Sequence, residues 1–135
     1  MFTHQTTYRV RYADTDQMGY VYYGNYARFF EIGRVEALRS LGFTYRELEA
    51  SGVWMPVYEL QTRFYQPARY DDLLTIETRI TQPPAVRIAF EYEVRNEGGI
   101  RLATGQTTLV FVRASNQRPM PAPPELGEKL SPFFT

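Results

Sequence analysis

Only one long stretch of this chain repeats its apolar residues at helical spacing, and it sits among segments that alternate like strands. After Asn25, a good helix N-cap, the residues Tyr26, Phe29, Phe30, Val35, Ala37, Leu38 and Leu41 form an apolar stripe. It stops at Gly42, a natural residue just past a helix end. The spacing predicts one helix of about 17 residues. Its polar face carries Arg28, Glu31, Arg34 and Arg39, and Glu31 is expected to pair with Arg34 three residues on. Ahead of it, residues 6–12 alternate, with Tyr8, Val10 and Tyr12 on one face and Arg9 and Arg11 on the other. Behind it, Thr44 with Glu47 resembles a capping box and predicts a short helix over 45–51. Residues 53–65, 73–81, 86–95 and 102–113 then read as strands, broken by Pro67-Ala68, Pro83-Pro84 and a hairpin turn at Asn96-Glu97-Gly98-Gly99. Short connections favour antiparallel pairing, so the pattern predicts an α+β domain with a single helix packed on one face of the sheet.

The 135 residues make one domain, 1–135, with a Pro-rich tail from about residue 117. Fifteen Lys and Arg balance fifteen Asp and Glu, which leaves no field to hold a polyanion and argues against nucleic acid. Cysteine is absent and His4 is the sole histidine, so no metal site and no thiol chemistry are expected. No apolar run is long enough to span a bilayer and no signal peptide is visible, so the expected location is the cytoplasm. The richness in Tyr and Phe, 11 and 9 residues, suits interfaces, and long strands under one helix leave sheet edges to be covered; a homo-oligomer is expected.

The informative loop is residues 13–24, which carries Asp14 and Asp16 at the end of a strand and leads through Gly24 into the helix. A helix entry has unpaired N–H groups and a partial positive charge able to polarise a carbonyl. A carboxylate opposite it can act as base or nucleophile, and Gly24 leaves room for a substrate to approach the backbone. The plainer alternative is that both aspartates cap turns. Asp71-Asp72 reads as a turn cap or edge charge, because adjacent side chains in an extended chain point to opposite faces. Arg63-Phe64-Tyr65 reads as sheet core or a dimer contact.

The run Asp14-Thr15-Asp16-x-x-Gly19-x-Val21-Tyr22-Tyr23-x-Asn25-Tyr26 resembles the signature of the hotdog-fold acyl-CoA thioesterases of the 4-hydroxybenzoyl-CoA thioesterase-like family. Tyr65-Gln66-Pro67-Ala68-x-x-Asp71-Asp72 resembles that family's later strand-turn motif, and Arg118-Pro119-x-Pro121 its C-terminal exit, so the likeness runs from about Tyr8 to Pro121. The resemblance implies a hotdog fold, a long central helix wrapped by a five-stranded antiparallel sheet, assembled as a homodimer or homotetramer. It implies hydrolysis of acyl or aroyl thioesters without a cofactor, with Asp16 as nucleophile or general base. The thioester oxygen would face the backbone N–H groups of Tyr23 and Gly24, with Asn25 capping the helix. One branch has a histidine at the position of Tyr23, whose phenol is a poor base and is expected to position the substrate. Gly19, Tyr20 and Val21 would flank the substrate together with Asn25. Tyr20, Tyr22, Phe29 and, across the dimer, residues 54–58 are expected to line the acyl pocket. Some members carry a basic cluster where this chain has Pro83-Pro84-Ala85-Val86, which leaves Arg87 as the first candidate for the phosphates of coenzyme A, beside Arg69, Arg113 and Arg118. Acyl carrier protein thioesters are an alternative substrate. A non-catalytic acyl-binding or assembly role is the alternative from another class, and a dehydratase ranks behind it because His4 lies outside the motif.

Overall fold

A computed structural model describes residues 1–134. β1 (Phe2–Arg9) starts earlier than the alternation suggests and turns Phe2, His4, Thr6 and Tyr8 inward. Val10 continues into the core, but Tyr12 does not share its face. The chain instead enters a 3-10 turn at Tyr12–Asp14, because Asp14 Oδ2 accepts the N–H of Arg11 and pulls the backbone out of the ladder. A second 3-10 turn, Tyr23–Asn25, feeds directly into α1 (Tyr26–Ser40).

α1 ends as its sequence requires. Gly42 takes φ +92°, a left-handed conformation that only glycine adopts at no cost. Its N–H donates to Arg39 O at 2.9 Å while that of Phe43 donates to Leu38 O at 2.9 Å, which satisfies two carbonyls the helix leaves open. α2 (Tyr45–Ala50) begins where Thr44 Oγ1 accepts the N–H of Glu47 at 3.1 Å. One expectation for α1 fails: Arg34 is buried and donates from Nε to the Tyr45 hydroxyl at 2.8 Å, so it makes no ion pair with Glu31. The packing of α2 against this flank widens the buried face beyond the apolar stripe.

The remaining strands are β2 (Val53–Trp54), β3 (Val57–Phe64), β4 (Leu73–Ile80), β5 (Arg87–Arg95), β6 (Arg101–Val110) and β7 (Val112–Arg113). Two of the expected strands are therefore each divided in two. Pro56 cannot donate to a ladder, and at that break β2 leaves to pair with β7 while β3 pairs with β6. The main sheet is antiparallel, with five strands in the order β1-β4-β5-β6-β3. α1 lies across its inner face against β1, β4 and β5.

Two glycines allow this close approach. A Cβ at Gly33 of α1 would stand 2.5 Å from Thr78 Oγ1, and one at Gly105 of β6 would stand 2.3 Å from the Phe30 ring. The Phe30 ring stacks on Tyr92 of β5 with centroids 4.4 Å apart. The tail also departs from expectation. It forms α3 (Pro124–Leu130), whose Leu126 and Leu130 complete the core, followed by a 3-10 turn that sets Phe133 edge-on against Phe2 at 5.0 Å. Proline is compatible with the first turn of a helix, so a Pro-rich run can precede one.

Candidate active site

The loop between β1 and α1 is held by Asp14. Its buried carboxylate accepts the Tyr8 hydroxyl at 2.7 Å and the Arg11 N–H at 2.8 Å, and it pairs with Arg28 of α1. Its backbone carbonyl accepts the N–H of Tyr22 and the side-chain amide of Asn25, both at 2.8 Å. Burial alone would push this carboxyl's pKa up, but the Arg11 N–H, the Tyr8 hydroxyl and the Arg28 guanidinium together hold it below the ordinary value. Asp14 is thus the member of the pair that fastens the loop. Asn25 takes part in the same work. It occupies the residue before α1, yet its side chain makes no cap and reaches back to Asp14, which corrects the capping role expected for it.

Asp16 is placed differently. It is half-buried, and its backbone is fixed by an N–H bond to Tyr20 O at 2.8 Å and by the Gly19 N–H on its own carbonyl at 3.0 Å. Oδ1 accepts the Met18 N–H at 2.9 Å, so the turn-cap reading is also true of this residue, while Oδ2 accepts no hydrogen bond from the described residues. Gly19, at φ +80°, supplies the left-handed corner that returns the chain toward Tyr20. Tyr20 and Val21 are then anchored to the segment before β4: Tyr20 bridges Arg69, and the Val21 N–H donates to Ala68 O at 2.9 Å.

A cavity of about 260 Å³ opens beside Asp16, walled by Tyr20, Tyr23, Tyr26, Phe64 and Pro67. Its surface is mostly aromatic, with the Asp16 carboxylate as its one charged group. Phe64 meets the Tyr26 ring edge-on at 5.1 Å and the Tyr23 ring at 6.5 Å. The N–H groups of Tyr23 and Gly24 donate to no acceptor among the described residues. Tyr23 itself is 66% exposed at the mouth. The adjacent Tyr22 phenol is raised above its ordinary pKa, first by hydrogen bonding with Tyr23, so it remains protonated at neutral pH. A carboxylate oxygen at an apolar recess, next to a helix entry with free backbone donors, suits attack on a carbonyl.

Several expected contributions do not reach this cavity. Phe29 is wholly buried in the core, whereas Val21, also mostly buried, does line the cavity as expected. The space left by Gly24 is filled by the Tyr22 ring, 2.6 Å from where a Cβ would stand, so it is not an open approach. Arg87 lies over the Tyr58 ring at 4.7 Å, and Tyr58 precedes Phe64 by six residues of β3, about 20 Å along the strand. Conversely, Met18, Tyr26, Phe64, Tyr65, Gln66 and Pro67 line the cavity without having been singled out for it. The motif Tyr65-Gln66-Pro67-Ala68 was the available signal, since a motif shared with the loop suggests a shared site.

The family model of the thioesterase-like superfamily matches residues 10–130. The chain is 34% identical over 115 residues to the Escherichia coli acyl-CoA thioester hydrolase YbgC, covering 85% of this chain and 86% of that one. It is 36% identical over 90 residues to the Bacillus subtilis protein YneP, 67% of this chain but only 65% of that protein's own length. Among solved structures, the DHNA-CoA thioesterase of Staphylococcus aureus superposes with a TM-score of 0.94 at 31% identity, over 98% of this chain and 91% of that one. The helix laid across a five-stranded antiparallel sheet is therefore the hotdog fold. By fold and by sequence alike, the chain belongs to the thioesterase-like superfamily and is a thioester hydrolase.

Proposed function

We propose that the protein hydrolyses acyl- or aroyl-CoA thioesters to the free acid and coenzyme A, with Asp16 as the catalytic carboxylate. One observation carries this reading: Asp16, whose Oδ2 accepts no hydrogen bond, lines an apolar cavity together with Tyr23, and at the adjoining helix entry the N–H groups of Tyr23 and Gly24 have no acceptor among the described residues. The acyl group lies among Tyr20, Tyr26 and Phe64. The carbonyl oxygen takes the free donors as negative charge builds on it, and Asp16 attacks the carbonyl carbon or draws a proton from water. Tyr23 positions the thioester. The names of the two relatives with matching activity, one an acyl-CoA hydrolase and one a DHNA-CoA thioesterase, support a coenzyme A thioester without choosing the acyl group.

The working form is a homodimer joined along β3. This edge strand leaves its backbone unpaired on one side and keeps the inward-facing Leu60 and Phe64 46% and 48% exposed. Antiparallel pairing of two such edges sets the Tyr58 end of one strand opposite the Phe64 end of the other. Arg87 and the 54–58 segment of one copy then approach the cavity of its neighbour.

The test is thiol release from a panel of short, long and aromatic acyl-CoAs by the wild type and by Asp16→Asn. The Asn side chain can keep the turn bond to Met18, so kcat should fall by roughly 10²-fold or more with the fold intact. A variant that turns over within a few-fold of wild type removes Asp16 from the chemistry.

A further inference from the structure

Tyr12 and Tyr70 stack face to face at the surface, ring centroids 3.9 Å apart and planes 7° from parallel. Tyr12 remains 75% exposed and Tyr70 46%, so core burial does not account for their placement. The backbone presents them. Tyr12 opens the 3-10 turn that ends in Asp14, and Tyr70 sits in the turn before β4, tied to the end of β1 by Val10 N–H to Asp72 O (2.9 Å) and Asp71 N–H to Val10 O (3.0 Å). Asp71 is held at φ +70°, a conformation uncommon outside glycine.

A surface hollow of about 440 Å³ runs along these rings, lined by Arg9, Arg11, Tyr12, Tyr70 and Asp71. Arg69 stands at the start of the same turn, its guanidinium 4.9 Å from the centre of the Tyr20 ring at the active cavity. Neither Arg11 nor Arg69 pairs with a carboxylate among the described residues; Arg9 meets the exposed Asp71, its carboxylate at 3.9 Å and its backbone carbonyl at 2.7 Å, and Arg11 donates to Arg9 O at 2.5 Å while lying over the Tyr8 ring. Asp72, the other acid here, caps the turn by accepting the Arg69 N–H at 2.9 Å. A chain of zero net charge thus sets Arg9 and Arg11 beside a flat aromatic face, with Arg69, the residue before Tyr70, turned to Tyr20 at the active cavity. Aromatic faces receive a base by stacking, and guanidinium groups receive phosphate oxygens in pairs.

The spacing to the reaction centre also fits. Tyr12 precedes Asp16 by four residues, so their Cα atoms lie within about 14 Å, the reach of four fully extended residues. The pantetheine arm of coenzyme A, with two amide bonds between thiol and diphosphate, has a similar reach. We infer that the Tyr12–Tyr70 stack with Arg9, Arg11 and Arg69 receives the adenine and phosphates of a coenzyme A thioester whose carbonyl lies at Asp16. This inference rests on the thioesterase reading of Asp16 and narrows its substrate: a carrier-protein thioester has the arm but no nucleotide to fill this site.

Two measurements test it. Adenosine 3′,5′-bisphosphate is titrated by calorimetry into the wild type, Tyr12→Ala and Arg11→Gln. In parallel, kcat/KM is compared for one acyl group carried on coenzyme A and on pantetheine. The bisphosphate should bind the wild type and compete with acyl-CoA, and Tyr12→Ala should weaken it by about tenfold. The preference for the CoA over the pantetheine thioester should fall by a similar factor, through KM rather than kcat. Arg11→Gln supplies the same comparison if Tyr12→Ala does not fold. Bisphosphate that does not bind, or binds the variants as it binds wild type, overturns the nucleotide site. A wild type that hydrolyses none of these thioesters defeats the reading of Asp16 instead, and the titration still decides the nucleotide site by itself.

Discussion

Asp14 and Asp16 are one residue apart and have opposite surroundings. Asp14 is enclosed and saturated with donors, whereas Asp16 keeps one oxygen free at a cavity. Replacing the first should therefore act on stability and the second on chemistry. Asp14→Ala leaves Arg28 and the Tyr8 hydroxyl without their anion and should cost about 3 kcal/mol, the low end for a broken buried pair because Arg28 is partly exposed. Denaturant unfolding checks this, and a loss under about 0.5 kcal/mol, the range of an ordinary surface change, would contradict it. The same contacts set a pH dependence. The Asp14 pKa is lower in the folded than in the unfolded chain, so its contribution is complete above the ordinary value of 3.8 and is lost as pH falls below it toward the folded value. Stability measured down through that range should fall less steeply in Asp14→Ala than in the wild type.

Among elements, the contact between α1 and the sheet depends on missing side chains as much as on present ones. Phe30 is wholly buried, stacked flat on Tyr92 and close against the bare backbone of Gly105, the cross-strand partner of Tyr92. Gly105→Ala would improve strand propensity slightly, but its Cβ would stand 2.3 Å from two ring atoms of a wholly buried Phe. Overpacking of this kind should dominate and cost about 2 kcal/mol. Thermal and urea unfolding read the loss, and an unchanged midpoint would mean that Phe30 can move. α3 plays the complementary part. It adds Leu126 and Leu130 to the core, and the turn after it sets Phe133 against Phe2 of β1.

For the whole molecule, the open side is β3. The bonds between Val10 and Asp71–Asp72 extend the β1–β4 ladder, while along β3 nearly every residue is exposed among the described residues. Sedimentation should therefore show at least two chains per particle. Leu60→Lys places a charge on the inner side of that edge, a common device against edge pairing, and should yield monomers. Because the acyl cavity is walled by Phe64 at the end of the same strand, activity should fall with dimer content. A fully active wild-type monomer would separate the site from the edge.

Local patterns were enough to define α1 with its stop at Gly42, the cap at Thr44 and, through several alternating segments joined by short turns, the antiparallel α+β class, because each depends on hydrogen bonds and side-chain directions within a few residues. The loop motif likewise named Asp16, Tyr20 and Tyr23, which the structure gathers at one cavity. Contacts between distant segments decided the rest. Arg34 turned inward because Tyr45 packs on that flank, the long strands broke because β2 and β7 found each other, and the tail folded back so that Leu126 and Leu130 join the core and Phe133 meets Phe2. The division of labour between Asp14 and Asp16 has the same origin. Both are short acids in one loop, and only the approach of Tyr8 and Arg28 to one of them, and of Tyr26 and Phe64 to the cavity beside the other, makes them different.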